Sequence, residues 1–191
     1  MLHHDHGLDW RSSLFAYEDA VLRKDTIAAE IPRLRRYARA LVGNESEADD
    51  LVQDTLERAL SRSHLWRPSD SPRRWLFTIL HNLHIDGRRG LARRPTADEL
   101  DETIADPAAR PEDGVTTCEV NAALQRLPLE QRQAVLLVGL EGLSYAEAAT
   151  VLNVPIGTVM SRLARGRDKL RLLLDHPAAP ASSAVSLRRV K

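Results

Sequence analysis

The sequence predicts an all-α protein made of two small helical domains joined by an acidic, flexible linker. Apolar residues recur at the helical spacing of three and four, and no segment alternates with the period of two that is typical of strands. Aromatic residues make up only 4% of the chain, which disfavours a β-sandwich. Between residues 95 and 114 the helical periodicity fails, and seven acidic residues stand against one arginine. That composition is typical of an extended, self-repelling linker.

The first domain is expected to span residues 26–95, after an N-terminal extension of residues 1–25. Apolar spacing over residues 10–21 predicts a short amphipathic helix in the extension. A second helix is predicted over residues 27–41, and Gly43 is expected to end it, because glycine readily adopts the left-handed conformation of a helix C-terminus.

Two further helices are expected in the first domain. Ser46 is predicted to be the N-cap residue of the third helix, with Asp49 three residues later in a capping-box position. Ser71 and Pro72 predict the N-cap and first turn of a fourth helix that runs to about Arg89.

The third helix carries acidic residues at spacings of three and four on the side away from its apolar residues. This acidic face consists of Glu47, Asp50, Asp54 and Glu57. A solvated helix surface is the default interpretation, a docking surface for a basic partner is the functional alternative, and a Mg²⁺ site is a third interpretation.

The fourth helix mixes aromatic residues with arginines, a pattern that suits single-stranded nucleic acid because bases stack on rings while cations hold the backbone. Taken alone, Trp75 and Phe77 are more often core residues than stacking platforms. His81 and His84 have no further ligand spaced to complete a metal site, and we expect a polar helix face there. No catalytic motif occurs in the sequence, so the expectation is a protein without catalytic residues, metal or cofactor.

After a linker over residues 96–114, the second domain is expected to span residues 115–175, and a disordered tail is expected over residues 176–191. Ser144 and Glu147 form an S-x-x-E capping box. A tight turn then leads into a last helix, and two short helices joined in this way are typical of a helix-turn-helix.

The last helix, from about residue 156 to residue 174, has an apolar stripe and a polar, basic side. Its candidate DNA-contacting residues are Thr158, Ser161, Arg162, Arg165 and Lys169. Arginine and small hydroxyl side chains suit phosphates and base edges, although a solvated basic helix is the alternative. Gly166 falls on the apolar stripe and predicts a close approach to a neighbouring helix.

Charge, cysteine content and hydropathy exclude several classes of protein. The 27 Lys and Arg residues balance 27 Asp and Glu residues, so the net charge is zero, which excludes a basic protein that coats nucleic acid. The single cysteine cannot form an internal disulfide. No stretch reaches the roughly 18 apolar residues of a membrane span. We therefore expect a cytoplasmic protein that does not insert into a membrane.

Three segments resemble the signature regions of bacterial extracytoplasmic-function (ECF) sigma factors of RNA polymerase. They are ADDLVQDTLERAL, RRWLFTILHNLHIDGRR and LPLEQRQAVLLVGLEGLSYAEAATVLNVPIGTVMSRLARGR. The resemblance implies a sigma-2-like helical bundle followed by a sigma-4-like helix-turn-helix domain. It also implies a transcription initiation factor that directs core polymerase to promoters and helps to melt them.

The resemblance assigns roles to particular residues. Those implied to dock on the β′ clamp helices of the polymerase are Asp49, Asp50, Leu51, Gln53 and Asp54. Those implied to lie at the −10 element are Arg73, Arg74, Trp75, Asn82, Asp86, Arg88 and Arg89. The candidate DNA-contacting residues of the last helix would read the −35 element. The implied partners are core polymerase, through its β′ clamp helices and β flap, promoter DNA, and an anti-sigma factor.

The sequence departs from the family pattern at three positions of the two DNA-contacting segments. His81 stands where many members carry arginine, His84 where a small residue is common, and Met160 where lysine or arginine is frequent.

A helix-turn-helix regulator that binds duplex DNA without polymerase is the alternative function.

Overall fold

The computed structural model describes residues 10–63, 66, 71–92 and 117–175, and every regular element in these ranges is a helix. The helices are α1 (Trp10–Val42), α2 (Glu45–Ser61), α3 (Pro72–Ala92), α4 (Thr117–Gln125), α5 (Leu129–Val135), α6 (Tyr145–Leu152) and α7 (Ile156–Asp175). A π-helical segment, Leu136–Leu140, continues α5. The all-α prediction is confirmed, with α1–α3 forming the first domain and α4–α7 the second.

Several sequence predictions concern segments that the structure does not describe. The expected linker over residues 96–114 and the expected tail over residues 176–191 lie outside the described residues, as do residues 1–9 of the N-terminal extension.

The longest helix, α1, joins two helices that the sequence analysis predicts to be separate. It runs without a break for 33 residues and includes Pro32. The prediction of a separate short helix in the extension is wrong, because residues 22–26 contain neither glycine nor proline and include strong helix formers. The predicted end is confirmed, since Gly43 follows with φ +85° and its N–H donates to the carbonyl of Arg39 at 2.9 Å.

The N-terminus of α2 differs from its prediction. Asn44 is the N-cap residue, with an extended backbone and a side-chain oxygen that accepts the N–H of Glu47 at 3.1 Å. The prediction that Ser46 caps this helix is wrong, because the turn at Gly43 brings the chain into the helix two residues earlier. Asp49 therefore lies in the second turn and not in a capping box.

The other two predicted caps are confirmed. Ser71 Oγ accepts the N–H of Arg74 at 3.3 Å at the start of α3. Before α6, Ser144 and Glu147 exchange both hydrogen bonds of a capping box. The turn between α6 and α7 contains Asn153 in the left-handed conformation, with φ +50°. These local signals place α6 and α7 as the two helices of a helix-turn-helix.

The buried apolar residues of both domains form one continuous core. In the first domain Tyr37 meets the edge of Phe77 with ring centroids 5.1 Å apart, and both residues are fully buried. In the second domain Val159 and Leu163 of α7 are buried. Because the same cluster includes residues from α1 to α7, the two domains pack directly against one another.

The close approach predicted at Gly166 is confirmed. A Cβ atom at this position would lie 2.7 Å from Cγ2 of Val135 and 3.3 Å from the carbonyl oxygen of Gln131, both on α5. The missing side chain therefore allows α7 to pack tightly on α5.

We expect Gly166→Ala to lower the free energy of unfolding. Alanine gains about 1 kcal/mol of helix propensity, but overpacking of a tight contact costs about 1–3 kcal/mol. Gly157→Ala on the same helix is the control, because a Cβ atom there meets nothing within 4 Å. Urea denaturation of both variants measures the difference, and equal stabilisation by the two substitutions would contradict the packing argument.

Candidate nucleic-acid interface

The candidate −10 residues of α3 do not share one face. Arg73 and Asn82 are nine residues apart, which is about 2.5 helical turns and puts them on opposite sides. One exposed side of α3 carries Asn82, Asp86 and Arg89, and Arg88 is also exposed. Trp75 lies on the same side and is half-buried, as is Arg74. This exposed side of α3 is the candidate surface for single-stranded nucleic acid.

The two tryptophans of this region pack against each other. The ring of Trp75 stacks on that of Trp66, with an interplanar angle of 26° and centroids 6.4 Å apart. Trp75 also packs against the buried core. Its first role is therefore to support the start of α3, as the sequence interpretation of a core residue anticipates, and Phe77 is a core residue outright.

Arg73 points into the contact between the two domains. Its side chain is only 25% exposed, and its guanidinium donates to the backbone carbonyl of Glu141 in the second domain. Nη2 of Arg73 also lies 3.7 Å from the carboxylate of Glu141, and Nε lies 3.9 Å from Glu30. The structure therefore separates Arg73 from the other candidate −10 residues.

Glu141 is a functional candidate that the sequence analysis misses. Its side chain is 0% exposed, and Arg36 on α1 binds both carboxylate oxygens, at 3.1 and 3.0 Å. Burial, and then the charge of Glu141, raise the pKa of the Tyr37 phenol, so this hydroxyl stays neutral. We call Arg36, Arg73 and Glu141 the interdomain clasp.

A second set of contacts joins the domains at the end of α1. Arg132 on α5 donates to the carbonyl of Leu41 at 2.7 Å, and Gln125 on α4 donates to the carbonyl of Ala40 at 2.9 Å. These carbonyls are among the last four of α1, which have no partner inside the helix. Side chains of the second domain therefore complete the C-terminus of a helix in the first.

The candidate DNA-contacting residues of α7 lie on one continuous arc, and their exposure differs. Arg165 and Lys169 are exposed, and Thr158 and Ser161 are half-buried. Arg162 is 21% exposed, and its guanidinium forms an ion pair with Glu130 of α5 at 2.9 Å. Among these candidate residues, the exposed cations are therefore Arg165 and Lys169.

Further exposed residues of α7 lie beside this arc. Met160 is 50% exposed, and Gly157 and Ala164 are exposed as well. Ile156, an apolar residue in the first turn of α7, is also 48% exposed. The helical period shows that these residues lie beside the arc. Hydrophobicity alone does not predict whether an apolar residue in the first turn of a helix is buried.

All four residues of the acidic face of α2 are exposed, in agreement with the prediction that this face points away from the core. Among the candidate docking residues, Asp50, Gln53 and Asp54 are exposed, whereas Leu51 is half-buried and packs against the core. Asp49 lies 4.0 Å from Arg35 and 3.8 Å from Arg39 of α1, so it is the member that belongs to an ion-pair network inside the domain.

His81 and His84 lie where α3 meets the second domain. Nδ1 of His81 is 3.3 Å from the amide nitrogen of Gln133 on α5. Within the described ranges, no group of three or more His, Cys, Asp or Glu side chains could hold a metal ion. The same ranges contain no helix that is long and apolar enough to cross a membrane.

We expect the stability of the protein to fall as the pH is lowered from about 6.5 to about 4. Burial, and then the charges of Arg88, His81 and Arg132, lower the pKa of His84 to about 4. The unfolded chain has an ordinary histidine pKa of about 6.5. Between these values the unfolded state binds more protons, so the free energy of unfolding rises with pH. Urea denaturation from pH 7 to pH 4.5 should show a smaller loss for His84→Gln, and equal losses would contradict the assignment.

Family comparisons agree with the two helical domains. Residues 27–81 match the model described as the Sigma2 domain of PhyR, and residues 119–170 match Sigma-70, region 4. The chain is 41% identical over 155 residues to the ECF RNA polymerase sigma factor EcfG of Rhodopseudomonas palustris, covering 79% of this chain and 84% of that protein. It is 37% identical over 158 residues to SigM of Mycobacterium tuberculosis, covering 82% and 77%.

Solved structures show the same architecture. The sigma factor RpoE of Bartonella quintana, in complex with the anti-sigma factor NepR, is 30% identical with a TM-score of 0.67, covering 81% of this chain and 98% of that chain. CnrH, in complex with the cytosolic domain of CnrY, is 27% identical with a TM-score of 0.61, covering 86% and 97%. Identity to EcfG over most of both chains, together with the matches to a sigma2 domain and to region 4, shows that this protein belongs to the ECF RNA polymerase sigma factors, a family of alternative transcription initiation factors.

Proposed function

We propose that this protein binds core RNA polymerase, directs it to promoters through the −10 and −35 elements, and promotes promoter melting. The observation that carries the proposal is that three helices present surfaces of different chemical character. The acidic face lies on α2, the polar and aromatic side lies on α3, and the basic arc lies on the second helix of a helix-turn-helix, α7.

The acidic face of α2 is proposed to dock on the β′ clamp helices of the polymerase. Asp50, Gln53 and Asp54 point to solvent and can meet a basic partner without rearrangement. Charged groups of this kind set the rate and specificity of association. Asp49 and Leu51 then act mainly by holding α2 on the domain, and the β flap is proposed to contact the second domain.

The exposed side of α3 is proposed to bind the −10 element as its strands separate. The amide of Asn82 can hydrogen-bond the edge of an unstacked base, and Arg88 and Arg89 can hold the adjacent phosphates. Asp86 can accept a hydrogen bond from a base amino group. Arg74 lies in the first turn of α3 and can approach the duplex upstream of this site.

The basic arc of α7 is proposed to enter the major groove at the −35 element. Arg165 is exposed at the middle of the helix, where a guanidinium can reach two acceptors of a guanine. Arg162, held by Glu130, is proposed to contact a phosphate at the groove edge. Thr158, Ser161 and Lys169 complete the arc.

We also propose an anti-sigma factor as a partner. The solved structures of RpoE and CnrH are complexes with the anti-sigma factor NepR and with the cytosolic domain of CnrY, respectively. An anti-sigma factor would cover the polymerase and DNA surfaces described above. Residues 1–25 are proposed as an extension of the first domain, with the domains themselves spanning residues 26–95 and 115–175.

Run-off transcription with bacterial core polymerase tests the proposed function. Purified protein plus core should give promoter-specific transcripts from genomic fragments enriched by the holoenzyme. The stand-alone regulator predicts instead tight, salt-sensitive binding of the free protein to duplex DNA and no complex with core on gel filtration. Absence of both transcript and core complex would overturn the proposal.

We expect Arg165→Ala to relax base preference at one position of the −35 element and to weaken holoenzyme binding there by about 1–3 kcal/mol. Arg171→Ala is the matched control, because Arg171 is exposed on the same helix but lies about 120° around it. Selection of promoter fragments from a randomised −35 library by each holoenzyme measures the preference. A uniform loss of affinity across all sequences would instead identify Arg165 as a phosphate contact.

A further inference from the structure

The N-terminal end of α7 carries no charged side chain. Residues 156–161 read Ile-Gly-Thr-Val-Met-Ser, and the first cation of the helix is Arg162. In a helix-turn-helix, the N-terminal residues of the second helix are those that contact base edges in the major groove. Any base contact at this end of α7 therefore comes from a hydroxyl, a backbone group or an apolar side chain, and not from a cation.

The two hydroxyls of this segment are only partly accessible. Thr158 and Ser161 are half-buried, and Ser161 Oγ donates to the carbonyl of Thr158 at 3.0 Å. Because a serine has one hydroxyl proton, this bond leaves the Ser161 oxygen only as an acceptor. Met160, which lies between them in the sequence, is 50% exposed and presents more surface than either.

Met160 projects from a part of the helix surface where its exposed neighbours are small. Residues three and four apart are neighbours on a helix, and here they include Gly157 and Ala164. A Cβ atom added at Gly157 would meet nothing within 4 Å, so the space beside Met160 is open. Ile156, one turn earlier, is 48% exposed and extends the apolar surface. The unbranched thioether side chain of Met160 therefore has room to enter a groove.

The chemistry of Met160 selects among the groups in a major groove. A thioether donates no hydrogen bond and accepts only weakly. The C5-methyl group of thymine is the apolar feature of the base edges in this groove, where the other groups are hydrogen-bond donors and acceptors. A single exposed apolar residue needs no function in general. Met160, however, is separated from the basic arc of α7 only by Gly157 and Ala164, so a duplex that meets the arc also meets Met160.

We propose that Met160 reads thymine in the −35 element, by packing its side chain on a thymine C5-methyl group in the major groove. This inference rests on the proposed function, since α7 enters that groove only if the protein binds promoters. Base preference is then divided along α7. Met160 makes an apolar contact in its second turn, and the guanidinium of Arg165 makes polar contacts about 1.4 turns further on.

Replacement of thymine by deoxyuridine tests this contact, because it removes the C5-methyl group and leaves base pairing intact. Holoenzyme formed with bacterial core polymerase first selects promoter fragments from a randomised −35 library. The selected duplex is then prepared with each −35 thymine, on either strand, changed in turn to deoxyuridine. One of these changes should weaken binding of the wild-type holoenzyme about fourfold, as expected for one methyl group withdrawn from an apolar contact. Competition against a fluorescein-labelled duplex measures the affinities.

Two variants assign the effect to Met160. Met160→Ala should bind the thymine duplex several-fold more weakly than the wild type, and should bind the thymine and deoxyuridine duplexes equally. Leu172→Ala is the matched control, because Leu172 is an apolar residue of α7 that is 64% exposed but lies about 18 Å further along the helix. This control should keep the wild-type preference for thymine. Loss of the preference only in Met160→Ala is the non-additivity expected of two groups in contact.

Three results would overturn the proposal while leaving the proposed function standing. They are equal binding of all thymine and deoxyuridine duplexes by the wild type, a selected −35 element without an A·T pair, and an undiminished preference for thymine in Met160→Ala. The first two use the wild-type protein, so they do not depend on how the variant folds. Failure of the wild-type holoenzyme to enrich any fragment is a different result, since it would overturn the proposed function and this inference with it.

Discussion

Replacing Asp50 and Asp54 together by lysine is expected to abolish binding of core RNA polymerase and all promoter-specific transcription. Both carboxylates are exposed and one helical turn apart on α2, so they meet a partner as one acidic surface. The double substitution changes the charge of this surface from −2 to +2, and like charges facing each other across an interface cost several kcal/mol. The fold should survive, because exposed substitutions of this kind usually change stability by no more than about 0.5 kcal/mol.

Gel filtration with core polymerase and run-off transcription measure this effect. The control is Asp25→Lys/Asp175→Lys, which makes the same change of net charge at two exposed positions outside the proposed docking surface. This control should bind core as the wild type does. Unaltered binding by the Asp50/Asp54 variant would remove α2 from the polymerase interface.

Local sequence signals predict local structure well in this protein. Ser71 and Ser144 each supply an oxygen to a free N–H at a helix start, and both caps occur as predicted. Gly43 is predicted to form a left-handed turn and Gly166 to allow a close helix contact, and the structure has both features. Each of these features depends on a few neighbouring residues, which is why periodicity and residue type are enough to find it.

Each feature that the sequence did not predict correctly has its own physical reason. Asn44 and Ser46 are both good N-cap residues, and the position of the preceding turn decides in favour of Asn44. Arg73 and Asn82 belong to one sequence motif, but they are about 2.5 helical turns apart. They therefore lie on opposite sides of α3, which becomes evident only when the helical period is applied to the motif. Glu141 gives no local signal at all, because its partners Arg36 and Arg73 come from the other domain.

Replacing Arg36 and Arg73 by methionine is expected to disrupt the contact between the two domains. Glu141 would then keep a fully buried carboxylate without either cation. Removing the partners of a buried charge costs about 3–5 kcal/mol, and about 1.4 kcal/mol corresponds to a tenfold change in an equilibrium. Separation of the domains hydrates Glu141, so most of this free energy should be lost from the contact between the domains, with each domain still helical.

Spin labels at the native, exposed Cys118 on α4 and at Ser61→Cys at the end of α2 report the distance between the domains, and far-UV circular dichroism reports whether the helices remain. Adding Glu141→Leu to the methionine variant is the control, because a buried ion pair can often be replaced by apolar side chains without loss of stability. The triple variant should recover the short distance, since it has neither the buried charge nor the arginines. If the methionine variant keeps the wild-type distance and stability, Arg36 and Arg73 do not compensate the charge of Glu141. If the triple variant also gives longer distances, the loss in the methionine variant comes from the missing arginine contacts and not from the unpaired carboxylate.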